Sequence, residues 1–253
     1  MLITTDGIVI RERFVGENDK YIDILTRELG VIEISVKGAK KIVSKNSGST
    51  QLFCYSKFCF SQRGERYYMN SSEPIRSFYN IRLDIDKYAL ASYFSEIIKS
   101  CVMPLDTAET VLRLYLNSLH FLETGNREIS MLKSIFELRI LVEIGLMPDI
   151  IGCIRCKQYE NDCVYFNCAD GYFICSNCLD ENDDLAKFIL LNKTELHIVR
   201  HIILSDFDKL FNFRTSQKVL KIIAKLTQDY LLIHLNRRFK TLEFYNSLQV
   251  VGN

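Results

Sequence analysis

Tryptophan is absent from the 253 residues and proline occurs only three times, so phenylalanine and tyrosine supply every large ring. No uninterrupted apolar run approaches the ~18 residues of a spanning helix. The first residues, Met1-Leu2-Ile3-Thr4-Thr5-Asp6, lack the basic start and apolar stretch of a secretory leader. Together these absences set the expectation of a protein of the reducing cytoplasm without a membrane span. There is no surplus of one charge either, the formal net charge being +1. Internal repeats and low-complexity tracts are missing. What remains, 48% hydrophobic and 25% charged residues, is a globular composition with enough chain for one large or two modest domains.

The motifs of several chemistries are missing as well. No GxxxxGK[ST] loop is present to cradle phosphates, and Gly38-Ala39-Lys40-Lys41 is basic without that spacing. HExxH is absent, and a zinc deaminase would need an HxE partner and a PCxxC, neither of which occurs. Of the four histidines, His197 and His201 lie four apart on one helical face and have the spacing of a metal pair. Their setting among Leu196, Val199, Ile202 and Ile203 equally suits an ordinary amphipathic helix. His120 and His234 have no visible partner. With no catalytic constellation, the chain reads as a non-enzyme.

Cysteine is the residue in abundance. Nine are present, an odd number, and four of them form two CxxC pairs, Cys153/Cys156 and Cys175/Cys178, separated by 18 residues. Each tight CxxC turn directs two sulfurs at one point, and two turns can close a tetrahedron of thiolates around Zn²⁺. A segment of about 25 residues cannot bury enough apolar area alone, so such a metal would supply its folding energy. Four thiolates leave no open coordination position, which makes one Zn²⁺ ion a staple and not a catalyst. Cys163 and Cys168 lie between the pairs and compete as ligands, though neither belongs to a CxxC turn. The other reading of a CxxC pair is a cycling redox thiol, which needs a depressed thiol pKa.

The near-neutral total conceals an uneven distribution. Residues 36–66 carry seven Lys/Arg against one acid, residues 150–184 two against seven, and residues 214–240 seven against one. Two basic zones therefore flank an acidic cysteine block, whose thiolates would repel a phosphate backbone further.

Residues 1–80 have strand periodicity. Gly7–Phe14, Tyr21–Thr26 and Ile32–Val36 precede a loop over Gly38–Thr50, and Phe53–Phe60 and Arg66–Met69 flank a turn at Arg63-Gly64-Glu65. Five short strands predict a small closed barrel. After Pro74 the period changes. Helices are expected over Asp86–Cys101, beyond a capping motif Asp106-Thr107-Ala108-Glu109, and from about Glu128 to Ile144, where Gly145 and Pro148 stop the last. Within the cysteine block, Val164–Phe166 and Tyr172–Ile174 predict two strands around Ala169-Asp170-Gly171. Beyond the acidic run Asp180–Asp184 the chain is expected to be helical again, with Ser216 capping one helix and a final helix holding Arg237, Arg238, Lys240 and Tyr245. The division is thus 1–80 barrel, 81–149 first helical part, 150–180 zinc module, 181–253 second helical part: an α+β chain whose helical domain contains an embedded four-cysteine zinc module.

The basic loop is the functional lead. Lys37, Lys40, Lys41 and Lys45 can approach a phosphate backbone, and Lys57, Arg63 and Arg66 are interleaved with Tyr55, Phe58, Phe60, Tyr67 and Tyr68. Strand-borne rings beside basic loops suit binding of single strands; alternating rings in strands equally suit a core. The zone from Arg214 to Lys240 fits nucleic acid, an acidic peptide tail or a solvated helix face.

Taken together, these stretches resemble the RecO family of bacterial recombination and repair mediators. The resemblance lies in Thr5-Asp6-Gly7-Ile8-Val9, Gly16-Glu17-Asn18-Asp19, Leu25-Thr26-Arg27-Glu28-Leu29-Gly30 and Val36-Lys37-Gly38-Ala39-Lys40-Lys41. It continues in Phe136-Glu137-Leu138-Arg139-Ile140-Leu141, Gly145-Leu146-Met147-Pro148 and the cysteine pairs. One departure is Asp170-Gly171, where the family often has Gly-Gly. The resemblance implies an OB-type barrel, a helical domain and a zinc module. It implies binding of single- and double-stranded DNA, annealing of complementary strands, work with RecR, recognition of the acidic C-terminal tail of single-strand DNA-binding protein, and assistance in loading RecA recombinase. It implies no enzymatic activity. A protein-interaction adaptor that binds no nucleic acid is the competing reading, and it expects the rings of residues 53–68 to be buried.

Overall fold

The computed structural model describes residues 2–39 and 47–251. The N-terminal part forms five strands, with clean alternation of buried and exposed residues in the third and fourth: β1 (Leu2–Val15), β2 (Asp19–Thr26), β3 (Val31–Val36), β4 (Cys54–Arg63) and β5 (Arg66–Ser77). They close in the order β1-β2-β3-β5-β4, antiparallel at every ladder except β3–β5, which is parallel. This is the five-stranded OB-like barrel that the sequence predicts. Its interior is filled by Val9, Ile22, Ile24, Ile32, Ile34, Val36, Phe58 and Phe60. Irregularities between Val9 and Arg11, and at two points of β4–β5, give the strands the extra bend that closure demands. β5 outruns its expected end by eight residues, through Pro74 to Ser77, because β4 supplies a partner for polar residues whose own pattern is not strand-like.

One end of the barrel is sealed by a charge. Lys20 is buried, and its Nζ donates to the Glu12 carboxylate at 2.9 Å and to the Thr50 carbonyl at 2.7 Å. At the other end the β2–β3 turn needs glycine. Gly30 has φ +58°, and a Cβ there would lie 2.0 Å from the Met103 carbonyl oxygen.

Two helices follow, α1 (Ile85–Cys101) and α2 (Glu109–Thr124). Asp84 caps α1, accepting from the Asp86 and Lys87 amides. The capping motif expected at Asp106 is not the start of α2. The Asp106 carboxylate instead accepts the Met103 amide at 2.9 Å, and the first helical acceptor is the Ala108 carbonyl. A local turn claimed the side chain before the helix did.

The third helix, α3 (Ile129–Glu143), precedes a small sheet of β6 (Cys163–Asn167), β7 (Tyr172–Cys175) and β8 (Phe188–Asn192), ordered β7-β6-β8. β8 replaces part of the helix expected after Asp184. Residues 188–191 are a short continuous apolar run, and β6 recruits the strand by a full antiparallel ladder. The chain then forms α4 (Lys193–Leu204), α5 (Phe207–Leu210), α6 (Gln217–Leu235) and α7 (Lys240–Val251). Arg237 and Arg238 precede α7, in the link after the left-handed Asn236, and do not belong to the helix as expected. Among the described residues, no helix is long and apolar enough to cross a membrane.

By contacts the chain forms two compact units, 1–124 with 239–253, and 125–238. In the first, α7 returns to α1. Glu96 accepts from the Thr241 amide and hydroxyl at 3.1 and 2.5 Å, and the Tyr93 and Phe239 rings meet edge to face. In the second, α3 packs on α6 around a buried polar contact. Lys133 Nζ lies 2.7 Å from Glu137 Oε1 and 3.0 Å from Gln228 Oε1, and the Thr227 hydroxyl donates to Glu137 Oε2 at 2.8 Å. Arg139 caps the far end of α4, donating to the carbonyls of Ile202, Ile203 and Ser205.

Glu137→Ala removes the carboxylate that lies 2.7 Å from the buried Lys133 ammonium. It should lower unfolding free energy by about 3–5 kcal/mol, whereas the double change Lys133→Met, Glu137→Leu should come within about 1–2 kcal/mol of the parent. Urea unfolding followed by circular dichroism checks both.

Candidate metal centre and nucleic-acid interface

Ile154-Arg155 and Ser176-Asn177, the residues inside the two CxxC turns, lie on separate loops joined by backbone bonds. The Cys153 amide donates to the Gln158 carbonyl and the Ile154 amide to the Phe173 carbonyl, each at 3.0 Å. The first turn is therefore carried on β7, whose last residue is Cys175, and Cys178 follows in the 3₁₀ turn Ser176–Cys178. The outcome is one cluster: the sulfurs of Cys153, Cys156, Cys175 and Cys178 all lie within 4.8 Å of one another. A tetrahedron with metal–sulfur bonds of about 2.3 Å has edges near 3.8 Å, and Cys156 Sγ and Cys175 Sγ are 3.7 Å apart. The cluster has the size and donor set of a closed metal site of four thiolates.

The thiols of the cluster do not ionise alike. Burial raises the Cys153 thiol, but the amides of Cys156, Cys175 and Arg155 aimed at its sulfur outweigh burial and bring it down to about 6. Cys178 moves the other way, pushed up to about 12 by hydrogen bonding with the Cys156 and Cys175 sulfurs. Thiols packed this closely oppose each other's ionisation, and a divalent ion removes that opposition. Cys163 and Cys168 are outside the cluster. Cys163 sits on β6, and Cys168 is buried, its thiol raised to about 12 chiefly by burial.

The neighbourhood holds the turns in place. Arg155 donates to the Cys178 carbonyl and, through two nitrogens, to the Asp183 carboxylate at 2.9 and 2.6 Å. That contact holds Asp183 below the usual carboxylate range. From α4, the buried Arg200 donates to the carbonyls of Ile150, Ile151 and Tyr159. The β6–β7 turn needs a single glycine. Asn167 accepts from the Ala169 and Asp170 amides, and only Gly171 takes a positive φ, +69°. Asp170 in place of a second glycine is accommodated without strain.

Among the described residues, the histidine pair belongs to no cluster of three or more metal-ligating side chains. His201 contacts the Lys209 carbonyl at 3.1 Å and the Ser205 hydroxyl at 3.0 Å, while His197 is exposed.

On the barrel, Lys40, Lys41 and Lys45 lie outside the described residues. Lys37, Lys57, Arg63 and Arg66 are exposed. They do not form one cluster. Arg63 and Arg66 face each other across the β4–β5 hairpin and make no ion pair among the described residues. Lys37 lies beyond the end of β3, about four residues or ~13 Å along the strand direction from Arg66. Lys57 stands in register between Asp6 on β1 and Glu73 on β5, so acids on both sides offset its charge.

The rings divide. Phe58 and Phe60 are fully buried, and Tyr67 packs on the core with its ring edge to face with Phe60. For these three the core reading is the correct one. Tyr55 and Tyr68 are half-buried. Sequence reasoning missed a row on the outer face. Cross-strand register aligns Arg13, Tyr21, Ser35, Tyr68 and Ser61 on β1, β2, β3, β5 and β4. Arg13 lies 5.6 Å from the Tyr21 ring centre and Arg63 5.7 Å from that of Tyr68. Nothing local in the sequence marks this row, because it exists only once β3 pairs with β5.

A third basic feature is a stripe on α6, where Lys218, Lys221 and Lys225 are all exposed at helical spacing.

Two family models match the chain: Recombination protein O N terminal over residues 1–78, and Recombination protein O C terminal over residues 82–243. A DNA repair protein RecO of Acetivibrio thermocellus is 33% identical over 246 residues, covering 97% of each chain. One from Exiguobacterium is 31% identical over 249 residues, covering 93% of this chain and 99% of its own. One from Alkaliphilus metalliredigens is 28% identical over 244 residues, covering 96% and 98%.

Arg155→Ala should free the stretch that follows Cys178. Amide exchange at residues 180–183 should accelerate severalfold while that of α3 and α6 is unchanged, as read by hydrogen-exchange mass spectrometry.

Proposed function

The chain belongs to the recombination protein O (RecO) family of non-catalytic recombination and repair mediators, and from that premise we propose how its parts divide the work. The family's function is to anneal single strands and to assist recombinase loading onto protein-coated single-stranded DNA. The observation that carries this reading is agreement over both halves: the N-terminal family match falls on a closed barrel, and the C-terminal match on the helices and the four-cysteine cluster.

In this chain the barrel, residues 1–80, is the DNA-facing part. Lys37, Lys40, Lys41 and Lys45, with Arg63 and Arg66 on the β4–β5 hairpin, neutralise phosphates and release counterions, which gives salt-dependent affinity without sequence preference. Lys57 contributes less, since Asp6 and Glu73 flank it. Residues 81–149 and 181–253 are the helical part that meets protein partners: a RecR-type protein and the acidic C-terminal tail of single-strand DNA-binding protein, with a RecA-type recombinase acted on indirectly. The exposed lysine stripe on α6 is charge-complementary to such a tail. The setting is the bacterial cytoplasm, on the nucleoid during repair.

Residues 150–180 are a zinc module. Cys153, Cys156, Cys175 and Cys178 would hold one Zn²⁺, which when bound supplies folding free energy and no open coordination position. The residues around it do the positioning: Arg155 and Arg200 hold the loops that carry the thiols. A catalytic thiol pair is disfavoured by this arrangement, because four donors converge at once.

Replacing Lys37, Lys40 and Lys41 together by glutamate should weaken binding to single strands of any sequence and reduce the slope of log K against log[salt] by about 2, near 0.7 for each lost phosphate contact. Fluorescence anisotropy at a series of salt concentrations checks it, and unchanged binding removes the loop from the interface. About one zinc per chain should be found by elemental mass spectrometry, and Cys153→Ser with Cys156→Ser should abolish it and lower the thermal midpoint. A parent protein free of zinc that still folds fully would exclude the module.

A further inference from the structure

We infer that the outer face of the barrel holds two base-stacking subsites, the rings of Tyr21 and Tyr68, that select unpaired bases. This rests on the reading that the barrel binds DNA, and deepens it by naming what is recognised besides phosphate.

The first observation is register. Ile22, Ile34 and Tyr67 form one cross-strand row toward the core, so their neighbours Tyr21, Ser35 and Tyr68 form the next row outward. The two tyrosines are two strand spacings apart, about 10 Å. Ser35, a small residue, lies between them in the register. Both rings are half-buried and thus fixed by the sheet while keeping exposed surface.

The second observation is what covers the rings. Arg13 and Arg63 lie over Tyr21 and Tyr68, each guanidinium within 6 Å of a ring centre. An exposed cation–π contact is weaker than the stacking of a base on an aromatic ring. A base can therefore displace the guanidinium, and the freed arginine is left beside the strand's phosphates, where it gains a charge-assisted bond. The two positions differ in this exchange. Arg13 is also paired with Glu33, so moving it breaks an ion pair. Arg63 has Arg66 opposite it across the hairpin, and moving it relieves like-charge repulsion. Tyr68 is accordingly the stronger subsite.

Duplex DNA has its bases buried in their own stack, so this row adds nothing to duplex affinity. The same face then favours single strands over duplex.

The test uses the full-length, zinc-loaded protein with three probes of equal length: an oligothymidylate, an abasic oligonucleotide of the same backbone, and a duplex. The unmodified protein should bind oligothymidylate about tenfold or more tightly than the abasic strand. Tyr68→Ala should lower oligothymidylate affinity about tenfold and Tyr21→Ala less, with abasic and duplex binding unchanged. Tyr68→Phe, which keeps the ring, should restore the parent affinity. Equal affinity of the parent for oligothymidylate and the abasic strand would overturn the inference while leaving backbone binding intact, and it does so even if an alanine variant fails to fold. No binding to any of the three probes would instead overturn the DNA-binding reading itself. A phenylalanine variant as weak as the alanine one would also overturn stacking.

Discussion

The parallel pairing of β3 with β5 is the contact on which the first unit depends. Four antiparallel ladders alone would leave an open sheet with two unpaired edges. Joining Ile34 to Tyr67 and Ser35 to Tyr68 removes both edges and encloses the core formed by Val9, Ile22, Ile34, Phe58 and Phe60. The same register sets the outside. Because side chains alternate along each strand, a slip of β5 by one residue would turn Tyr68 inward and Tyr67 outward, breaking both the core row of Ile22, Ile34 and Tyr67 and the outer row of Tyr21, Ser35 and Tyr68. Core and outer row are thus one decision. Lys20 reinforces it, since its inward-pointing ammonium is satisfied only where Glu12 and the Thr50 carbonyl meet it.

The second unit is held differently. Its cysteine loops bury little apolar area, and arginines do much of the joining. Arg200 ties α4 to the carbonyls before and after the first CxxC turn, Arg155 ties that turn to Cys178 and Asp183, and Arg139 ties α3 to the end of α4. Each guanidinium reaches backbone that is distant in sequence, which suits a loop-rich module that apolar burial alone would leave loose. Glu137 and Arg139 stand two residues apart in one family-like stretch of α3, with unlike tasks: one neutralises Lys133 in the α3–α6 interface, the other caps a helix.

Much of this was legible in the residues. Apolar segments rich in β-branched and aromatic residues located all five barrel strands, with period-two burial clear in β3 and β4, and the CxxC spacing located the four sulfurs that converge. The misses share a cause, which is that tertiary partners override local pattern. β5 continues through polar residues because β4 is there to pair with them. β8 lies where a helix is expected, and becomes a strand because β6 takes it up. Asp106 had the spacing of a cap but was used by a nearer amide, whereas Asn192 and Glu195, which form a complete capping box at α4, were not read as one. Among the rings, alternation could not separate Phe58 and Phe60, which fill the core, from Tyr68, which faces out. Tyr21 escaped notice because its significance lies in Ser35 and Tyr68 on two other strands.

The central claim is that this barrel meets single-stranded DNA through backbone charge supplemented by ring stacking. The most direct test is anisotropy of a labelled single-stranded oligonucleotide titrated with the unmodified, zinc-loaded protein over a series of salt concentrations. The predicted result is affinity that falls log-linearly with salt, with a slope corresponding to several phosphates, and that extrapolates to a residual affinity at high salt larger than that for an abasic strand. Absence of binding at low salt, or binding indifferent to salt, would contradict it and leave the barrel as a platform for protein partners alone.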